Sequence, residues 1–245
     1  MAKFSEAKEA ALYFSPKTRD SRFHCRLKKG DPRGVWKEWK DDKTEEMKRA
    51  YELKAEYETI AGIIESVDFF DAEFAGKKWT NMNIRLKGDG EDDPPVVISV
   101  GATTSYAKTF MEKLPNIDAT KEVTFDPYGF TPPGSEYFRA GFTLIQKYAE
   151  GKDQKIESYY SKQEKKTDKK TGREYETTVH MNGFPEPEKP YEEMSKAKQD
   201  IYKILKQDFL MEETKKHPLY KASARAEDVK VVYPTEEINE SDIPF

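Results

Sequence analysis

From residue 79 to residue 87 the chain reads Trp79-Thr80-Asn81-Met82-Asn83-Ile84-Arg85-Leu86-Lys87. An aromatic, two amides and two cations occupy every second position, with Met82, Ile84 and Leu86 between them. Period two is the spacing of a strand, so Trp79, Asn81, Asn83, Arg85 and Lys87 share one face and the apolar residues share the other. A face of that composition suits a single-stranded polynucleotide. Bases stack on aromatic planes at about 1–3 kcal/mol each, and Lys and Arg neutralise phosphates, with no sequence preference implied. The alternative role for Trp79 is to cover the rim of a barrel. The same combination of side chains recurs as Tyr137 with Arg139, and as Tyr159 and Tyr160 with Lys155 and Lys162.

Bond-making chemistry has no comparable signature. The chain has no Gly-rich phosphate loop ending in Lys-Ser/Thr, no dinucleotide glycine fingerprint, no nucleophile elbow and no His-Glu-x-x-His helix. His24, His180 and His217 lie in unlike contexts. Cys25 neighbours His24 on a strand-like segment, where adjacent side chains point to opposite faces. As the single cysteine it excludes an intrachain disulfide and a multi-Cys zinc site, and it suits a reducing cytoplasm. Glu91, Asp92 and Asp93 crowd an acidic turn, where solvation is the ordinary role of carboxylates. The expectation is a binding protein without catalytic residues, cofactor or metal. A nuclease using Asp/Glu and a divalent metal is the rival from another class, and a scaffold without affinity for nucleic acid is a third.

Composition agrees with a soluble, folded chain. Its 245 residues are 36% hydrophobic and 36% charged, with a mean hydropathy of −0.93, yet 13% are aromatic, a class depleted in disordered sequence. No window approaches the roughly 18 uninterrupted apolar residues of a membrane span. Met1-Ala2-Lys3-Phe4 leads into charged sequence rather than an apolar signal core, so a cytoplasmic location is expected. The net charge of −4 hides a separation: residues 1–40 carry eleven Lys/Arg against five Asp/Glu, and residues 223–245 carry two against six. A basic body with an acidic end suggests a polyanionic partner and a tail able to compete for the same surface.

The elements that would position these groups follow from periodicity. Phe23, Cys25 and Leu27 alternate with Arg22, His24, Arg26 and Lys28, which predicts a strand with one basic face, ended by Gly30-Asp31-Pro32. Asp41 to Glu58 lacks Pro and Gly and spaces Met47, Tyr51 and Ala55 by four, predicting a helix. Ile60 to Phe70 is β-branched and aromatic, with apolar residues on both parities around Gly62, as a strand bent or bulged midway would have. Strands are predicted at Trp79–Lys87, Val96–Val100, Lys121–Phe125 and Tyr137–Lys147, the last with Phe138, Ala140, Phe142 and Leu144 facing in. Thr103–Leu114 reads as a helix ended by Pro115. Gly151–Tyr175, with eight Lys/Arg against five acids, reads as a basic hairpin with a Lys-rich tip. Asn182–Pro190 is a connector, Tyr191–Lys215 a helix with Ile201, Leu205 and Leu210 as its apolar stripe, and Val229–Tyr233 a closing strand.

Three strands, a helix and two strands within about ninety residues is the element order of an OB-fold, a five-stranded Greek-key barrel whose second and third strands form the binding face. The expected fold is therefore α+β, mainly β. It divides into a basic N-terminal extension and helix over 1–59, an OB-fold domain over 60–233 with an inserted hairpin at about 151–180 and a helix at about 191–215, and an acidic tail over 234–245.

Within that tail, Glu236-Glu237-Ile238-Asn239-Glu240-Ser241 precedes Asp242-Ile243-Pro244-Phe245. The last four residues resemble the acidic tip of bacterial single-stranded DNA-binding proteins, although the usual Gly/Gln/Pro-rich linker is missing. The body resembles the divergent OB-fold single-stranded DNA-binding proteins of tailed bacteriophages in layout, in Gly76-Lys77-Lys78-Trp79 before the second strand and in the Gly183-Phe184-Pro185 connector. The resemblance implies a protein that coats single-stranded DNA in replication, recombination and repair. It also implies that Asp242, Ile243, Pro244 and Phe245 dock on partner replication and repair enzymes: Phe245 and Ile243 would form an apolar plug, and Asp242 would meet a basic rim. A monomer or small homo-oligomer is expected. A strand-annealing recombination mediator is the alternative within the same class.

Overall fold

The computed structural model describes residues 11–17, 20–40, 45–74, 76–87, 95–133, 138–147, 151–167, 172, 174–187 and 193–222. In chain order the strands are β1 Leu12–Lys17, β2 Arg22–Cys25, β3 Gly34–Lys40, β4 Met47–Leu53, β5 Ile60–Phe74, β6 Lys77–Leu86 and β7 Val96–Gly101. Helix α1 (Ser105–Lys113) follows, then β8 Glu122–Phe130, β9 Arg139–Lys147, β10 Asp153–Lys155, β11 Ser161–Thr167, β12 Glu174–His180 and helix α2 (Lys196–Lys216). The protein is mainly β, with one large sheet and a C-terminal helix.

That sheet has eight strands in the order β10-β9-β8-β5-β6-β7-β1-β2. Its junctions are antiparallel except where β1 lies parallel to β7. The apolar residues on both parities of β5 have a simple cause. Residues Ile60–Ile63 pair with β8, the register shifts between Ile64 and Ser66, and the remainder pairs with β6. One strand thus serves two neighbours, and the bulge turns its side chains over between them. Gly62 lets Leu86 of β6 approach closely, because a Cβ there would lie 3.2 Å from Leu86 Cβ. Among the described residues the sheet does not close into a barrel: β10 and β2 form its edges.

Helix α1 covers the inner face. Thr104 caps it by accepting from Ala107 N, and Pro115 follows in a 3₁₀ turn. Phe110, Met111 and Leu114 pack with Val123, Phe125, Phe142 and Leu144, all essentially without exposure. Phe125 and Phe142 meet edge to face at 5.8 Å, and Tyr106 lies 5.0 Å from Phe142. Met82 and Ile84 of β6 complete this core, as their alternation requires.

Four expectations are corrected. No helix spans Asp41–Glu58: residues 41–44 lie outside the described residues, and β4 pairs with β3 as a two-stranded ribbon. The helix-favouring Glu, Lys and Met composition is overridden by cross-strand pairing, which has no local signature. On the basic side of 22–28 His24 is buried and β2 ends at Cys25, while Arg22 is partly exposed and Arg26 and Lys28 are exposed. Phe138 is 53% exposed rather than facing in, since β9 starts one residue later. On α2, Ile201 and Leu205 are exposed, and of the expected stripe only Leu210 is buried, together with Tyr202 and, partly, Phe209. The closing strand at Val229–Tyr233 and the acidic tail lie outside the described residues.

Candidate nucleic-acid interface

Register across β5, β6 and β7 defines the face on which Trp79 stands. Trp79 opposes Ala72, Asn81 lies between Phe70 and Gly101, Asn83 between Asp68 and Ser99, and Arg85 between Ser66 and Val97. The structure therefore brings Trp79, Asn81, Asn83 and Arg85 onto one surface, with Lys87 exposed just beyond the strand.

The middle of this surface is a polar row. Asn83 is buried; its amide donates to Asp68 Oδ1 at 3.0 Å and its carbonyl accepts from Ser99 Oγ at 2.8 Å. Arg85 Nε donates to Asp68 Oδ2 at 3.1 Å. Asp68, itself buried, thus holds both side chains in place and offsets one positive charge. Asn83 is consequently a structural member of the row, and Arg85 is an oriented guanidinium whose side chain stays one-third exposed. Ser15 of β1 extends the row by donating to Ser99 O at 3.0 Å.

Trp79 and Phe70 are both half-buried, on adjacent rungs of the same face. Phe70 is a candidate stacking residue that sequence reading placed only in an apolar run, because its neighbours across the sheet depend on the bulge. Carboxylates flank this end: Asp71 accepts from Thr80 Oγ1 at 2.6 Å and Glu73 lies 3.5 Å from Lys78 Nζ. The partly exposed Arg85 and the exposed Lys87 lie further along the strand from this end.

A second aromatic group lies where β8 and β9 meet. Phe130 is 49% exposed, opposes Arg139, and packs 6.0 Å from Tyr128. Phe138 joins it in sequence, whereas Tyr137 falls outside the described residues. Lys155 is exposed on the β10 edge.

The third group divides. Tyr159 is partly exposed, and Lys162 is exposed and paired with Glu164 at 2.7 Å. Tyr160 is a core residue, packed edge to face on Phe209 at 5.3 Å and tilted against Phe184 at 5.9 Å. It cannot serve as a stacking platform. It seats the β11–β12 hairpin instead, accepting from Met181 N at 2.9 Å through its carbonyl.

His180 belongs to the same aromatic seat, 4.8 Å from the Phe184 ring, and burial lowers its pKa, with Lys206 adding to the effect. A folded-state pKa below the ordinary 6.5 means that the unfolded chain takes up the proton first, so stability is lost as pH falls through 6.5. Thermal melting at pH 7.5 and 5.5 should show a smaller drop for His180→Gln than for the wild type. An equal drop in both proteins would remove His180 as the cause.

Among the described residues no group of three or more His, Cys, Asp or Glu converges as a metal site, and no helix is long and apolar enough to cross a membrane. No protein-family model matches the chain, and no curated protein or solved structure matches it significantly.

Proposed function

We propose that this chain is a single-stranded DNA-binding protein whose binding surface is an OB-type strand pair. The observation that carries the proposal is the placement of the half-buried aromatics Trp79 and Phe70 and the exposed aromatics Phe130 and Phe138. In support, the β5-β6-β7-α1-β8-β9 element order, with β5 shared between β6 and β8, is that of an OB-fold, although the sheet does not close among the described residues. In that arrangement ligands lie across the second and third strands, between the loops joining strands 1 to 2 and 4 to 5. Trp79 and Phe70 stand beside the first of those loops, and Phe130, Phe138 and Arg139 stand at the second. Bases stack on these rings while Arg85, Lys87 and Arg139 meet phosphates. The strand would be coated during replication, recombination and repair. Asp242, Ile243, Pro244 and Phe245, outside the described residues, would recruit partner enzymes by presenting an apolar plug with a carboxylate beside it.

The test is fluorescence anisotropy with labelled oligo(dT) and with duplex across a salt series. Single strand should bind much the tighter, and log K should fall with log salt by roughly 0.7 per neutralised phosphate. Equal affinity for duplex, or no dependence on salt, would overturn the proposal. Cleavage of the strand in magnesium, abolished by chelation, would instead move the protein to the nuclease class.

A further inference from the structure

The ribbon formed by β3 and β4 stands apart from the large sheet, its two strands paired with each other. Such an isolated ribbon is marginal in water unless something holds it. Here its base is held: Leu27 N donates to Tyr51 O at 2.9 Å, and buried Glu52 lies 2.8 Å from His24 of β2.

Register places Trp36 opposite Tyr51, Glu38 opposite Arg49 and Lys40 opposite Met47 on one face. Trp36 is 49% exposed there. Its ring is nonetheless fixed. Tyr51 meets it edge-on at 5.5 Å, and the Arg49 guanidinium carbon lies 5.0 Å from its centroid. Tyr51 is fixed in turn. Its hydroxyl donates to Asp31 O at 2.8 Å, and its ring lies over Gly34, where any Cβ would overlap it. An exposed indole held in one orientation, with a guanidinium plane over it, is the chemistry on which nucleobases stack. Arg49 and Lys40 are each matched by a carboxylate, Glu38 across the ribbon and Glu45 at 3.6 Å from Lys40 Nζ, so recognition on this face rests on stacking rather than on net charge.

We infer that the β3–β4 ribbon is a second contact arm for single-stranded nucleic acid, with Trp36 and Arg49 as its stacking pair. The inference rests on the single-stranded DNA-binding reading proposed above and adds a site away from the Trp79 face.

The chain has three tryptophans, Trp36, Trp39 and Trp79, so emission can be assigned. In the full chain with Trp39→Phe and Trp79→Phe, titration with oligo(dT) should quench Trp36. In the otherwise wild-type chain Trp36→Ala should weaken binding about 5- to 150-fold, the range of one lost stacking contact. Arg49→Gln, which leaves the ring in place, should weaken it about 2- to 5-fold. If wild type binds single strands while Trp36 emission and both variants' affinities stay unchanged, the arm is refuted and the Trp79 face stands. If wild type binds no single strand, both readings fall. Trp36→Ala shifting sedimentation from dimer to monomer at unchanged DNA affinity would make this face a self-association surface and refute the arm.

Discussion

Glu52→Ala is expected to destabilise the fold by about 3–5 kcal/mol, the range for removing one member of a buried, hydrogen-bonded pair of ionisable side chains. Glu52 and His24 are both fully buried at the side chain and lie 2.8 Å apart, and the other His24 nitrogen lies 2.9 Å from Asp20 Oδ2. Without the Glu52 carboxylate the imidazole keeps a partner on one side only, in a position water does not reach. Glu52→Gln keeps shape and hydrogen-bonding capacity and should cost less, about 1–3 kcal/mol. Replacing both residues by leucine should recover much of the loss, because an apolar pair leaves no buried polar group unmatched. Urea unfolding of the three variants is the measurement. Glu52→Ala within about 0.5 kcal/mol of wild type would show that the pair contributes nothing, since that is the range of ordinary surface substitutions. The pair also joins β2 to β4, so its loss should reduce the Trp36 contribution to binding along with stability.

Trp79→Ala should weaken single-strand binding by about 1–3 kcal/mol, or 5- to 150-fold, with little change in melting temperature. The ring is half-buried, and the residue opposite it on β5 is the small Ala72. Phe70→Ala on the adjacent rung should behave alike, and because the two residues share one surface their effects need not add. The competing outcome is specific. A fully buried Trp would cost about 3–5 kcal/mol of stability on truncation. A mutant that melts early by that amount and binds normally would make Trp79 a packing residue, and the stacking surface would have to be sought at Phe130 and Phe138.

Much of the site was legible because strand alternation is a local property. The β6 face could be read from nine consecutive residues, and the bulge in β5 from apolar residues on both parities. What escaped was every feature that depends on a neighbouring strand. Asp68, which restrains Asn83 and Arg85, and Phe70, which stands beside Trp79, became part of the face only through the register of β5 on β6. Tyr159 and Tyr160 are adjacent and identical in type, and only the aromatic packing of Phe184 and Phe209 decides that the second belongs to the core.

The ribbon shows the same division most sharply. Residues 45–58 are rich in helix formers, and intrinsic propensity is worth only tenths of a kcal/mol per residue, whereas seven cross-strand partner pairs with β3 outweigh it. The sequence by itself determined the alternating faces, the capped helix after β7 and the charge separation between the ends of the chain, since each is written in residues close together. Tertiary structure alone decided which aromatics meet water, which cations are tied to carboxylates and that Trp36 stands on a held ribbon. Those outcomes depend on contacts between residues far apart in the chain, and no local period encodes them.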